Sequence, residues 1–227
     1  MDDPPIATTA SHHLTIVDAV WEDGPRAGGW IAERLGPFGP TVGHAVPLGY
    51  ETYAVLPGTD GADDGYLPAL DALLGVLGGF TGERPVHCGM WDGWSWWFEP
   101  GTDPGRGAGV YWDEGANPTQ EEIDRAVAEA REHFVALCVE RPAIAPLALP
   151  YRDYYVWTGP LRSATAFRHE PHNPPSLIWP EDRSWFVGIP IYSNEIAIAG
   201  SSAVIDAVVT GLHARRATTD DNLDSDD

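Results

Sequence analysis

Lysine is missing altogether from this 227-residue chain: its 13 basic residues are all arginine, set against 34 aspartates and glutamates, for a formal charge of −21. So few bases argue against nonspecific binding to nucleic acid or to an anionic membrane surface, because neutralising phosphates takes basic side chains. Long apolar runs are missing too, and nothing approaches the roughly 20 residues that span a bilayer. The opening "MDDPPIATTA" has neither the positive start nor the apolar stretch of a secretory signal. The expectation is a soluble, cytoplasmic protein. Cysteine is reduced to Cys88 and Cys138, neither in a CxxC pair, so both read as small buried apolar residues and no zinc or redox centre is expected. GxSxG, HExxH, the Walker loop and a dinucleotide fingerprint are absent. No nucleophile, base and orienting group fall at a suggestive spacing. His169 and His172 lie three apart in "FRHEPHN", but Pro171, Pro174 and Pro175 keep that stretch from being a helix. Neither a metal nor a cofactor is expected.

What the chain does have is apolar and aromatic mass: 43% hydrophobic residues and 10 tryptophans, enough for a sizeable core. The clearest helix lies over 119–140. Thr119 and Glu122 form a capping box behind Pro118, and Ile123, Val127, Ala130, Phe134 and Leu137 make one apolar stripe. Further helices are expected over 68–78, with Leu70, Leu73, Leu74 and Leu77 inward, over 202–211 behind a serine cap, and near 25–35 around Trp30. Strands are expected at 50–56, 86–91, 94–99, 153–157, 176–179, 184–189 and 194–199. Helices and strands do not alternate strictly. The reading is α+β: a mostly antiparallel sheet of about five to seven strands with three or four helices packed mainly on one face. Residues 12–216 are expected to form a single globular domain between two disordered tails, 1–11 and 217–227. The second tail ends in "DDNLDSDD", with one apolar residue to offset its ordering entropy.

The stretch "HCGMWDGWSWWFEP" (87–100) concentrates four tryptophans around one acid. Asp92-Gly93 between apolar residues is a strong signal for a type I′ hairpin turn, with Gly93 at positive φ and Trp91 facing Trp94. Most of these rings read as core, but Trp91, Asp92 and Trp94 would sit at a surface tip, suited to stacking on a ring or gripping a cation. "YRDYY" places Arg152 and Asp153 at a strand start, where they could pair. "WPEDRSW" reads as a turn containing Trp179, Asp182 and Arg183, with Arg183 able to pair with Glu181 or Asp182.

Three segments taken together, "CGMWDGWSW", "LPYRDYYVWTGP" and "PPSLIWPEDRSWFVG", resemble a group of uncharacterised actinobacterial proteins. Those carry stretches of the type C-x-x-x-W-[DE]-G-x-G-W, L-P-x-R-x-Y and S-P-x-L-W-W-P-x-D-R-x-W. The likeness covers roughly residues 50–210. It departs at Ser95, in place of the second glycine, and at Ile178, in place of the first tryptophan. It implies a shared fold and no activity. The functional expectation is a soluble binding or interaction domain for a protein partner or a small ligand, immunity- or inhibitor-like in one version, which the acidity suits. The alternative is an enzyme on a small polar or sugar-like substrate, with Asp92 or Asp182 as acid/base. The candidate binding residues are Trp91, Asp92, Trp94, Arg152, Asp153, Trp179, Asp182 and Arg183. Their convergence in one concavity would favour a ligand or an enzyme; a flat acidic face would favour a protein.

Overall fold

Alternation of apolar residues on both faces of a strand asks for cover on both faces, and the computed structural model meets that demand with one wide sheet. The structure describes residues 18–58, 67–113, 115, 117–166 and 173–223. The helices are α1 (Gly24–Ala32), α2 (Val42–Ala45), α3 (Leu67–Thr81), α4 (Gln120–Leu137), α5 (Ser163–Ala166) and α6 (Ser202–Leu212). The strands begin with β1 (Val20–Glu22), β2 (Thr52–Pro57), β3 (Val86–Trp91), β4 (Trp97–Phe98), β5 (Val139–Glu140) and β6 (Leu147–Leu149). They end with β7 (Arg152–Gly159), β8 (Leu177–Pro180), β9 (Trp185–Gly188), β10 (Glu195–Gly200) and β11 (Arg215–Ala217). The α+β class holds. Among the described residues the sheet has nine strands, more than expected, and the six helices outnumber the expected three or four.

The chain divides into two compact units, residues 94–141 forming the smaller among the described residues. In the larger unit the strand order is β1-β7-β3-β8-β9-β10-β2-β11, with β6 also paired to β7, and every pairing is antiparallel. Register sorts the side chains. Tyr53, Val55, Tyr154, Val156, Leu177, Trp179 and Phe186 turn to one face, where Ala27 and Ile31 of α1 and Val42 and Ala45 of α2 close over them. Their neighbours in sequence turn to the other face, in a row that runs Trp157, Cys88, Ile178, Val187, Ile198, Ala54 across six strands. There Trp185 Nε1 donates to Thr81 Oγ1 of α3 at 3.0 Å, and α3 packs on α6. Helix α6 starts as the sequence suggests, behind a Ser201 side chain that accepts from Val204 N–H.

One glycine decides where α2 sits. A Cβ on Gly188 of β9 would lie 2.2 Å from the Ala45 carbonyl oxygen, so only glycine lets that helix rest its backbone on the sheet. The far end of the chain holds the same region from outside. Leu223 is 3% exposed within the α1/α2 cluster, and its N–H donates to Pro40 O at 2.7 Å. Val42 N–H reaches Asp221 O at 3.0 Å and Gly43 N–H reaches Thr219 O at 2.9 Å. The expectation of a disordered tail from 217 is therefore corrected over 217–223: a single leucine anchors an otherwise polar segment. The expected tail 1–11 and residues 224–227 lie outside the described residues, as do His169 and His172.

In the smaller unit β4 and β5 pair in parallel, Trp97 opposite Val139. Helix α4 carries the expected capping box: Glu122 N–H donates to Thr119 Oγ1 at 3.3 Å and Thr119 N–H to Glu122 Oε2 at 2.8 Å. Its stripe is only partly covered, and Val127 is 44% exposed. Asp103 caps a 3-10 turn at Pro104–Gly107 and takes Arg131 Nη2 at 2.7 Å.

The expected hairpin across Asp92-Gly93 does not form. β3 pairs with β7 and β8, so Trp91 stands opposite Tyr154, Gly89 opposite Val156 and Leu177, and His87 opposite Thr158 and Trp179. The described residues of positive φ do not include Gly93. Its lack of a side chain serves another purpose: a Cβ there would lie 2.1 Å from Cζ2 of Trp91, whose indole folds back over it. Tight hairpins form elsewhere, at β6–β7 and at β8–β9, the latter turning at Glu181–Ser184 with Arg183 at φ +56°.

Candidate functional site

Aromatic residues set among turn formers occur three times in the larger unit: "GPFGP" (36–40), "LPYR" (149–152) and "PIYSN" (190–194). Turn formers put a segment at the surface, and the fold brings the three turns to one place. The Phe38 ring lies 4.9 Å from Tyr151 and 5.0 Å from His44. His44 stacks on Tyr192 at 6.5 Å, and the Arg152 guanidinium sits over Tyr192 at 5.1 Å. Tyr192 Oη donates to Gly39 O at 3.0 Å, which ties the 36–40 turn to the rest. Phe38 is 58% exposed, Tyr151 77% and Tyr192 39%. Tyr151 stands at φ +74° in the β6–β7 turn, the left-handed position of a proline-led turn that glycine normally fills. Holding a tyrosine there costs on the order of 1–2 kcal/mol.

Beside this aromatic group is an open hollow of about 370 Å³ lined by Trp91, Asp92, Gly93, Leu149, Tyr151, Arg152 and Asp153. Asp92 N–H continues the ladder onto Asp153 O at 2.9 Å, which brings the two acids together at the end of β3 and β7. Leu149 and Arg152 also line the small cleft, about 30 Å³, that runs under His44, Tyr154 and Tyr192. Arg152 thus joins the hollow to the aromatic group, and it hydrogen-bonds the Tyr154 hydroxyl. Burial pushes the Tyr154 phenol up, so it stays protonated. Burial and then the Arg152 charge push His44 below its ordinary value, so its ring is neutral at pH 7.

Of the eight residues singled out in the sequence, Trp91, Asp92, Arg152 and Asp153 meet in this hollow. Trp94 belongs to the smaller unit and is half-buried there; the hairpin that would have paired it with Trp91 does not form, since β3 pairs with β7 and β8. Trp179 is a core residue, 1% exposed and stacked between His87 at 5.2 Å and Phe186 at 5.6 Å. Asp182 is held by Arg84 at 2.5 Å and accepts from Ser184 N–H. Arg183 does not pair with Glu181 or Asp182 as the turn suggested; its guanidinium lies 4.6 Å from the Trp30 ring, and it lines a different groove. The Arg152–Asp153 pair gives way to the Arg152–Tyr192 stack, because consecutive strand residues point to opposite faces. Sequence reasoning missed Phe38, His44, Tyr151 and Tyr192. The signal was there for three of them, as large rings placed where turn formers leave them no core to enter.

Among the described residues there is no group of three or more His, Cys, Asp or Glu side chains placed to hold a metal ion, and no helix is long and apolar enough to cross a membrane. Compared with protein-family models, with curated proteins and with solved structures, the chain matches none.

Proposed function

We propose that this protein is a binding module that recognises a basic protein partner through Phe38, Tyr151 and Tyr192 together with the Trp91–Asp92–Asp153 hollow. The observation that carries the reading is the clustering of exposed rings around one arginine, with Tyr151 kept in a costly backbone conformation to present its ring. Tyrosine, tryptophan and arginine are the side chains that dominate binding energy at protein interfaces. An exposed group of rings is disfavoured by roughly 25 cal/mol per Å² of apolar surface, a cost that a partner removes. The hollow beside the rings is lined by Trp91 and by the acidic residues Asp92 and Asp153, an electronegative setting for a basic side chain of the partner. The net charge of −21 would steer a basic partner toward the surface and make association sensitive to salt. Four of the eight candidate residues do share one concavity, which by itself would suit a small ligand, but Asp182 is committed to Arg84, Trp179 to the core and Arg183 to another groove, so the expected pocket is only half assembled. The exposed rings beside it favour a protein partner over a small substrate. Photo-crosslinking tests it. Benzoylphenylalanine at position 151 should capture a discrete basic protein, with the products of neighbouring genes as first candidates. The same probe at position 111, where Tyr111 is fully exposed, should not. Equal capture from both positions would dismiss the surface.

A further inference from the structure

Arginine is the chain's only strongly basic residue, and on the larger unit Arg84, Arg162, Arg215 and Arg216 each face a carboxylate. Arg26, Arg34, Arg152 and Arg183 do not follow that pattern, and of these Arg34 and Arg183 share one aromatic ring. Arg34 follows the C-terminus of α1, and Arg183 stands in the β8–β9 turn, 149 positions later. Both are exposed, and both guanidiniums address one indole: Arg34 lies 5.6 Å and Arg183 4.6 Å from the centroid of Trp30. Stacking on a ring holds a guanidinium plane in place while leaving its N–H edge free to donate. Two like charges brought onto one ring repel each other, and two acids close by, Asp182 next to Arg183 and Glu51 in the groove lining, are engaged elsewhere. Asp182 is bound to Arg84 at 2.5 Å, and Glu51 is turned to Ser202, accepting from its N–H at 3.0 Å and its Oγ at 2.6 Å.

Between the two arginines lies a groove of about 300 Å³, within the range of small-ligand sites. Gly49, Tyr50, Glu51, Ser184, Gly200 and Ser201 complete its lining. The Tyr50 hydroxyl and Ser184 Oγ are shielded from solvent without a protein partner, so two polar groups lie unsatisfied beside the guanidiniums. Burial raises the Tyr50 phenol, against the opposing pull of Arg34 and Arg183, which keeps it a proton donor.

We infer that this groove is a binding site for a phosphate monoester, with Arg34 and Arg183 gripping the phosphoryl oxygens and Trp30 bracing both. A carboxylate is satisfied by one guanidinium fork; two forks on one ring match the dianionic charge and three terminal oxygens of a phosphoryl group. The rest of the ligand lies toward Ser184 and Ser201, which suit hydroxyl groups. The groove shares no lining residue with the aromatic surface, so the two sites stand or fall separately.

Calorimetric titration with phenyl phosphate at low ionic strength tests the site, with benzoate as the carboxylate control. Phenyl phosphate should bind with a Kd of about 1 mM or tighter, and benzoate at least tenfold more weakly. Arg34→Gln and Arg183→Gln should each weaken phenyl phosphate about tenfold, which corresponds to about 1.4 kcal/mol. Both positions are exposed, so melting temperature should not move, and if one variant failed to fold the other would still decide. Lack of saturable binding, equal binding of benzoate, or wild-type affinity in a folded arginine variant would each overturn the assignment.

Discussion

Replacing Leu223 by alanine should loosen the whole recognition surface from a distance, because that side chain pins the segment that carries Phe38 and His44. Leu223 is 3% exposed, and losing three carbons from such a site removes about 2.4 kcal/mol of transfer free energy. The range for leucine-to-alanine changes in cores is about 2–5 kcal/mol, and a terminal segment that can shift belongs at its lower end. There is also a ceiling. Ordering the six residues 218–223 costs about 6–12 kcal/mol of backbone entropy, set against Leu223 burial, the Thr218–Asp221 hydrogen bonds, the Arg215–Asp221 ion pair and the bonds to α2. Once the anchor fails, the segment detaches and no more is lost. Leu223→Ala and deletion from Thr218 onward should therefore show the same drop in melting temperature. For a chain of this size that is about 5–10 °C. Asp220→Ser, at an exposed position between the same contacts, should change almost nothing. Calorimetry measures the drop, and amide exchange locates it: the N–H groups of Val42 and Gly43, which donate to Asp221 and Thr219, should exchange faster while β9 and β10 stay protected. A Leu223→Ala protein with an unchanged melting temperature and unchanged exchange at those two amides would refute the pinning.

Gly93→Ala should destabilise by about 1–3 kcal/mol through overpacking, because its Cβ would fall 2.1 Å from the Trp91 ring; near-ultraviolet circular dichroism should report the displaced indole. Burial holds both His44 and His87 below the ordinary value of 6.5. The unfolded chain then takes up these protons first, so stability should fall as pH drops through about 6.5 and level off below the folded values. Urea unfolding between about pH 7.5 and 5 should show this slope, and His44→Gln with His87→Gln should flatten it. Thr119→Ala removes the capping box of α4 and should cost about 1 kcal/mol, visible as faster exchange in the first turn of that helix.

Helix caps and strand cores were legible because they are local. Thr119 with Glu122, Ser201, and the leucines of α3 each carry their own signal within a few residues. The Asp92-Gly93 turn misled for a physical reason. β3 is apolar on both faces, so it gains more from two long-range neighbours, β7 and β8, than from one hairpin partner, and the glycine serves the Trp91 ring instead of a positive φ. The short edge strands β1, β6 and β11 escaped because three residues cannot display an alternation. The C-terminal segment was misjudged because five aspartates among its last eight residues outweigh one leucine in composition, whereas in the structure that leucine is the anchor. Half of the candidate site could be reached from local pattern. The groove of Arg34, Trp30, Tyr50 and Arg183 could not, since it joins α1 to a turn far along the chain and has no motif of its own.

The most direct measurement of the central claim is quantitative affinity capture with the wild-type protein and with Phe38→Ser/Tyr151→Ser. Both side chains are more than half exposed, so the double variant should fold with an unaltered melting temperature. A basic protein should be enriched by the wild type, depleted at least tenfold with the variant, and released as salt shortens the Debye length below about 8 Å. A specifically enriched protein retained equally by both would contradict it and place recognition elsewhere on the molecule.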